Sequence, residues 1–411
     1  MLKKISVKRL TLGMYVSLRE IPWFNHPFLL SHFELKKQSE INDIVAIGCD
    51  TVLYDPKKSK TKPLADELDV AINRFDKKFI SKTSLKSKKA SELRKRRKRF
   101  QEVERDFSVA SEKADWLFEE VKGKGIDSHE NLKEFALNMS KRFSKNVDLA
   151  VQHINVSASD AGQHYHSLNV MILALMLGQQ LGLEDDEMEK LSLGGLLHDI
   201  GFLRLSKEIV CKKKMSKAEM ALFREHPKYG VSMLSALPDF CPEVMKIVYQ
   251  HHEECNGRGY PKRLEADQIS SLAKIVAVVD TYDRLINTRD ASLGLSPHKA
   301  MAFMFGKKGD SFDQECLGTF IKMLGVYPPG TVCRFSSGDV GVVVGVSPSD
   351  PLHPEVIIYD PAIPKYDAII YKLGTDLDLD IATSLSLKEI DMEALYYLDS
   401  RSKIQYFPLG Q

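Results

Sequence analysis

Five histidines and two aspartates stand in a spaced order along the middle of this 411-residue chain: His166, the pair His198-Asp199, His226, the pair His251-His252, and Asp280. Neutral imidazole and carboxylate are the ligands that first-row divalent metals prefer. Two adjacent pairs plus three single residues supply enough donors for two ions rather than one. Two ions about 3.5–4 Å apart can stabilise both the attacking and the leaving oxygen of a phosphoester displacement. The pattern therefore predicts a metal-bound hydrolase centre, with His198 and Asp199 at its catalytic heart.

Helical periodicity says where these side chains must point. Val244, Ile247, Val248 and His251 fall at i, i+3, i+4 and i+7, so the histidine pair continues an apolar stripe and faces inward. Phe223 and His226 are three apart, and Pro227 is expected to end that helix just after His226. His166 shares a face with Val170 and Leu173. Asp280 closes the run Ile275-Val276-Ala277-Val278-Val279, where an unpaired carboxylate would cost several kcal/mol to bury. A cation removes that cost. Any one inward histidine is more often a plain core residue; the set in one domain is what points to metal. Gly194 and Gly195, one turn before His198, would let neighbouring helices approach closely.

The elements that must position these residues divide the chain. Its length predicts more than one core, and 43% hydrophobic with 28% charged residues fits a soluble globular protein. No apolar run is long enough to span a membrane, and the N-terminus lacks a secretory core, so a cytoplasmic location is expected. Six cysteines without CxxC spacing read as reduced thiols. Residues 1–62 predict a small β-rich module, with alternation at Ile5-Val7-Leu10 and Met14-Val16-Leu18, a helix near Glu34–Ile47 and a strand at Val52–Tyr54. The aromatic run Trp23–Phe28 is expected in a loop. Residues 63–145 predict a charged helical linker; between Lys77 and Phe100, Glu92 is the single acid among many Lys and Arg. No aromatic interleaving there supports base stacking, so nucleic acid is not an expected partner. Residues 146–326 predict an all-α domain, with Ser216-x-x-Glu219 as a capping box and Ser296-Pro297 as an N-cap followed by proline. Beyond Pro328-Pro329-Gly330, residues 327–411 predict a β-rich region with strands near 331–335, 340–346 and 356–359.

At residues 160–326 the chain resembles the HD-GYP phosphodiesterases of the HD superfamily. The matching stretches are HSLNV at 166–170, HDIG at 198–201, EHPKYG at 225–230, HHEECNGRGYP at 251–261 and VVDTYDRLINTR at 278–289. GMYV and the W-x-x-HPF run are similar to a small domain often found ahead of such modules. The implied fold is multidomain α+β, an all-α HD-type core flanked by small β-rich regions. The implied activity is hydrolysis of a cyclic dinucleotide, chiefly cyclic di-GMP with cyclic GMP-AMP as the other substrate. Carried over by position, His166, His198, Asp199 and Asp280 would hold one metal, and Asp199, His226, His251 and His252 a second. Some members hold a third ion through a glutamate four residues before the first histidine; Gly162 stands there, so two ions, iron or manganese, are expected. Arg289 stands where the family has a phosphate-binding arginine, Tyr260 would shape the pocket rim, and Asp283 would orient a ligand from behind.

Two departures bear on activity. The family usually reads HDIGK, and Phe202 replaces the lysine that would reach a phosphate. Glu254 and Asn256 alter the GYP loop, where Arg258 brings back a positive charge, and Arg204 is another nearby cation. They motivate an alternative: a degenerate module that binds cyclic dinucleotide, or a diguanylate cyclase domain, without turnover. The N-terminal module is the candidate regulator or homodimer contact.

Overall fold

The computed structural model describes residues 2–19, 28, 32–61, 77–123, 128–143, 147–156, 162–212, 214–237, 240–288, 293–347, 350–386 and 389–398. Most of the aromatic run, Trp23–Pro27, and the expected phosphate ligand Arg289 lie outside the described residues. The residues group into two compact units, 1–96 with 359–370, and 97–358 with 371–411.

The first unit is built on four short strands, β1 (Lys3–Ser6), β2 (Tyr15–Ser17), β3 (His32–Glu34) and β4 (Thr51–Tyr54), in the antiparallel order β1-β4-β2-β3. Helix α1 (Gln38–Ala46) lies between β3 and β4 in sequence. It starts later than the periodicity suggests because Glu34 pairs with Tyr15 in the sheet. Alternate strand residues Val16 and Val52 meet Leu35, Ile41 and Ile44 in a small core.

The second unit is helical at its centre. Helix α2 (Lys77–Lys122) leads into it, followed by α3 (Ser128–Phe143), α4 (Val147–Val156), α5 (Gly162–Gln180) and α6 (Asp185–Leu197). After a 3-10 turn at Ile200–Arg204 come α7 (Lys207–Val210), α8 (Lys217–Phe223), α9 (His226–Leu234) and α10 (Pro242–Gln250). Then follow α11 (Ser271–Ile286), α12 (Pro297–Lys308) and α13 (Gln314–Leu324). The segment expected to be a charged connector does more than connect. From Phe100 onward, α2 contributes Phe107, Ala114, Leu117 and Phe118 to the same core that holds Leu168, Leu196, Ile247 and Val276.

Local signals explain several boundaries. Ser216 Oγ accepts from the Glu219 N–H while Glu219 accepts from the Ser216 N–H at 2.8 Å, the reciprocal box that starts α8. Ser296 caps α12 with Pro297 at its first turn. A Cβ added at Gly194 would lie 2.4 Å from Ile247 Cδ1, so α6 and α10 approach as closely as they do because that side chain is absent.

The β-rich tail forms a five-stranded sheet of β5 (Val332–Phe335), β6 (Val340–Ser347), β7 (Asp350–Ile358), β8 (Ile370–Lys372) and β9 (Ile381–Ser384), ordered β8-β7-β6-β5-β9. Helix α14 (Met392–Leu398) follows it. Asn155 of α4 donates to the Pro329 carbonyl at 2.7 Å, tying the entry of this sheet to the helical core. The multidomain α+β expectation is borne out, with a helical core and small antiparallel sheets in the N- and C-terminal regions.

Candidate metal centre

Three of the histidines sit where a helix runs out. His198 directly follows α6, His251 directly follows α10, and His226 comes three residues after Phe223, the last residue of α8. The last turn of any helix leaves carbonyls without a partner inside the helix. Each of these imidazoles takes one: His198 Nδ1 meets Gly195 O at 2.8 Å, His226 Nδ1 meets Phe223 O at 2.8 Å, and His251 Nδ1 meets Val248 O at 2.9 Å. A carbonyl can only accept, so Nδ1 carries the proton and Nε2 is turned inward. Pro227 opens α9 rather than ending a helix after His226, contrary to the sequence expectation. Proline is suited to a first helical turn, where its missing N–H removes no bond. A Cβ at Gly201 would lie 1.9 Å from the His226 carbonyl, so glycine there is what lets the HDIG turn and the start of α9 touch.

The inward nitrogens converge on Asp199, and its two oxygens face two different histidine pairs. Oδ1 lies 3.2 Å from His226 Nε2 and 3.7 Å from His251 Nε2. Oδ2 lies 3.4 Å from His198 Nε2 and 3.6 Å from His166 Nε2. Asp280, on α11, brings Oδ1 to 2.9 Å from His166 Nε2 and 3.4 Å from His198 Nε2, and Oδ2 to 3.7 Å from His252 Nδ1. All seven residues singled out from the sequence are thus brought together.

His166 is oriented differently. It lies inside α5, where the backbone carbonyls are committed to the helix, and its Nδ1 instead faces Asp283 Oδ2 at 2.6 Å. Asp283 is fully buried on α11, one turn from Asp280, and its other oxygen accepts from Asn169 at 2.9 Å and Asn287 at 2.8 Å. A carboxylate behind a ligating histidine fixes the ring and raises its basicity. Neither asparagine was singled out from the sequence, and only their distance to Asp283 reveals them.

Arg284 is the larger omission. Its Nε donates to Asp280 Oδ1 at 2.7 Å and its Nη2 to Asp199 Oδ2 at 2.5 Å. The one signal in sequence was its i+4 spacing from Asp280 on a helix. Burial would raise the Asp199 carboxyl, but Arg284 and His198 outweigh it and hold it well below the usual carboxylate range. Burial has the same effect on Asp280, and Arg284 and His166 again reverse it. Burial works against a charge on His198, yet Asp199 and Asp280 push it up to about 10. His251 is brought down to about 4, by burial first and by the neighbouring histidines against the pull of Asp199.

A divalent cation fits this donor set. His226 and His251 both spend Nδ1–H on a carbonyl, and their Nε2 atoms face one another at 3.3 Å beside Asp199 Oδ1. With His251 neutral at pH 7, its Nε2 is an acceptor facing the Asp199 carboxylate, an arrangement a cation satisfies. His252 Nε2 is buried with no hydrogen-bond partner. Two overlapping groups have metal-binding proximity: Asp199, His226, His251 and His252, and His166, His198 and Asp199.

The rim carries the remaining expectations. Tyr260 stacks on His252 with ring centroids 4.6 Å apart, and Arg224 lies over the Tyr260 ring at 5.2 Å. Buried Glu253 accepts from the Lys262 and Leu264 N–H groups at 2.6 and 2.9 Å and so shapes the loop that presents Tyr260. Glu254 receives Lys308 at 3.2 Å and Ser311 at 3.0 Å, so it anchors that loop rather than facing the cluster. Arg258 and Arg204 are both exposed, and the backbone N–H of Arg258 closes a turn onto Asn256. Phe202 is buried and stacks on His226 at 4.0 Å, filling the space behind that ligand candidate.

Residues 136–316 match the family model described as the HD domain, and residues 2–130 match DUF3391, a domain of unknown function. The cyclic di-GMP phosphodiesterase PA4108 of Pseudomonas aeruginosa is 29% identical over 362 residues, covering 87% of this chain and 85% of its own. The cyclic di-GMP phosphodiesterase response regulator RpfG of Xanthomonas campestris pv. campestris is 26% identical, covering 47% of this chain and 54% of its own. The 3'3'-cGAMP-specific phosphodiesterase 3 of Vibrio cholerae is 30% identical, covering 40% and 35%. The solved structure of Bd1817, an HDG"Y"P protein from Bdellovibrio bacteriovorus, covers 79% of this chain and 99% of its own at 19% identity and a TM-score of 0.48, too remote a likeness to add weight. An HD domain thus carries the histidine–aspartate cluster, a DUF3391 region precedes it, and the chain is similar along most of its length to a cyclic di-GMP phosphodiesterase.

Proposed function

We propose that the chain is a metal-dependent phosphodiesterase that hydrolyses a cyclic dinucleotide, cyclic di-GMP first and cyclic GMP-AMP second, in the cytoplasm. The observation that carries this reading is Asp199, whose two oxygens each face their own pair of imidazole nitrogens. A carboxylate so flanked is suited to bridge two ions. His166, His198, Asp199 and Asp280 would hold one, and Asp199, His226, His251 and His252 the other, with iron or manganese matching the mixed N/O donors. When bound, such ions supply Lewis acidity toward the phosphate and a water acidic enough to be a nucleophile near neutral pH.

The chain's own residues supply the rest. Backbone carbonyls hold His198, His226 and His251 in the tautomer that turns Nε2 inward, and Asp283 does the same for His166. The Tyr260 ring covers His252 and excludes water from that side while offering a face to a base. Arg289 is the proposed phosphate contact, and Arg258 a charge at the loop edge.

Purified full-length protein, loaded with Fe or Mn and assayed by product chromatography on both dinucleotides, tests the reading. Linear dinucleotide or mononucleotide is expected. No product from either substrate, with metal bound, would overturn it. That outcome with retained dinucleotide binding would favour the second reading, a binding module that captures cyclic dinucleotide or a diguanylate cyclase domain, with the DUF3391 region as regulator or homodimer contact. Phe202 in the lysine position, stacked on His226, is what speaks for it.

A further inference from the structure

The cation missing at position 202 has a counterpart elsewhere in the cluster. Arg284 reaches Asp199 and Asp280 with one edge of its guanidinium, Nε and Nη2, at 2.7 and 2.5 Å. A guanidinium carries five N–H donors in a rigid fork, so the edge bearing Nη1 is left over. The Arg284 side chain is 31% exposed, against 2% for Asp199 and Asp280 and 0% for His198, His226 and His251. The Tyr260 phenol lies within electrostatic reach of it. Of the other candidate replacements, Arg204 and Arg258 are exposed, and Arg224 is engaged over the Tyr260 ring.

We propose that Arg284 is a phosphate-contacting residue of this site, supplying from α11 the positive charge that Phe202 does not supply from the HDIG turn. This rests on the phosphodiesterase reading and names one residue that serves it. The two aspartates hold the guanidinium in a fixed orientation beside the carboxylate that faces both histidine pairs, so its free edge is presented without loss of side-chain entropy on binding. Planar N–H pairs match two oxygens of a phosphate, which a lysine point charge cannot do. Phe202 can then be apolar, and its ring supports His226 instead.

The test uses Arg284→Met and Arg284→Lys in the full-length, metal-loaded protein. Three quantities are read: metal per chain, KM against kcat for both dinucleotides, and the inhibition or binding constant of inorganic phosphate by calorimetry. The expected result for R284M is unchanged metal content, a KM raised about 10- to 100-fold, the range of a hydrogen bond between charged groups, and phosphate affinity weakened by a similar factor. R284K is expected between the two, since it keeps the charge and loses the fork. Unchanged KM and phosphate affinity in R284M would overturn the proposal. So would loss of metal in both variants with phosphate affinity unchanged, which would make Arg284 a support for the aspartates. If the wild-type protein hydrolyses neither dinucleotide, the functional reading fails, and the phosphate measurement still decides Arg284 separately.

Discussion

His198, His226 and His251 on one side, and His166 on the other, present the same inward nitrogen by different means. The first three are aligned by carbonyls three residues back in their own chain, freed because a helix ends there. His166 sits within a helix and is aligned by Asp283, 117 positions away, which in turn needs Asn169 and Asn287. A helix end therefore provides a ligand orienter at no cost in extra residues, whereas a mid-helix ligand needs a dedicated polar network from a second helix. The first device cannot be removed by a side-chain change; the second can.

The strongest way to break this contrast is to remove what both sides share. Asp199→Ala is expected to reduce hydrolysis to background and to lower the metal content, since the residue faces all four of these imidazoles. Product chromatography with elemental analysis checks this, and retained turnover would contradict the bridging role. Asp283→Asn should be milder, costing about 10–100-fold in metal affinity or activity, because it disturbs only the support of His166. Metal titration should then show a weakened site at His166 and His198 while the site at His226, His251 and His252 is unaffected.

The two sides also differ in how they titrate. In chelator-treated protein His198 has its pKa pushed up to about 10, so its imidazolium contributes stability that is fully present below about 6.5 and lost as pH rises through 10. His251, brought down to about 4, contributes stability present above about 6.5 and lost as pH falls toward 4. Thermal melts of stripped protein are therefore expected to peak near neutrality. Metal loading should abolish the alkaline loss, because a ligating His198 has already given up its proton. The smallest effect expected is Ser216→Ala, which removes the cap of α8 for about 1 kcal/mol while leaving turnover unchanged, since the far end of α8 still offers the Phe223 carbonyl.

Much of the cluster was legible because its chemistry is dense in sequence. The adjacent pairs His198-Asp199 and His251-His252, and an aspartate at the end of an apolar run, have few other uses. The helix signals at Ser216 and Ser296 are local and held for the same reason. Pro227 was misread because proline is compatible both with a helix end and with a helix start, and only the path of the chain separates the two. The lower half of the charged connector was misjudged because Phe100, Phe107, Leu117 and Phe118 bury against partners far away in sequence.

Residue types and spacing along the chain were sufficient for the helical class of the centre and for which side chains could ligate metal, since both depend on residue chemistry and on interactions within a few residues. Tertiary structure alone decided that Asp199 faces two pairs at once, that Asp283 and two asparagines stand behind His166, and that Arg284 reaches both aspartates. Charge and hydrogen bonding act over a few ångströms of space, while Arg284 and Asp199 lie 85 residues apart along the backbone and Asp283 and His166 lie 117 apart.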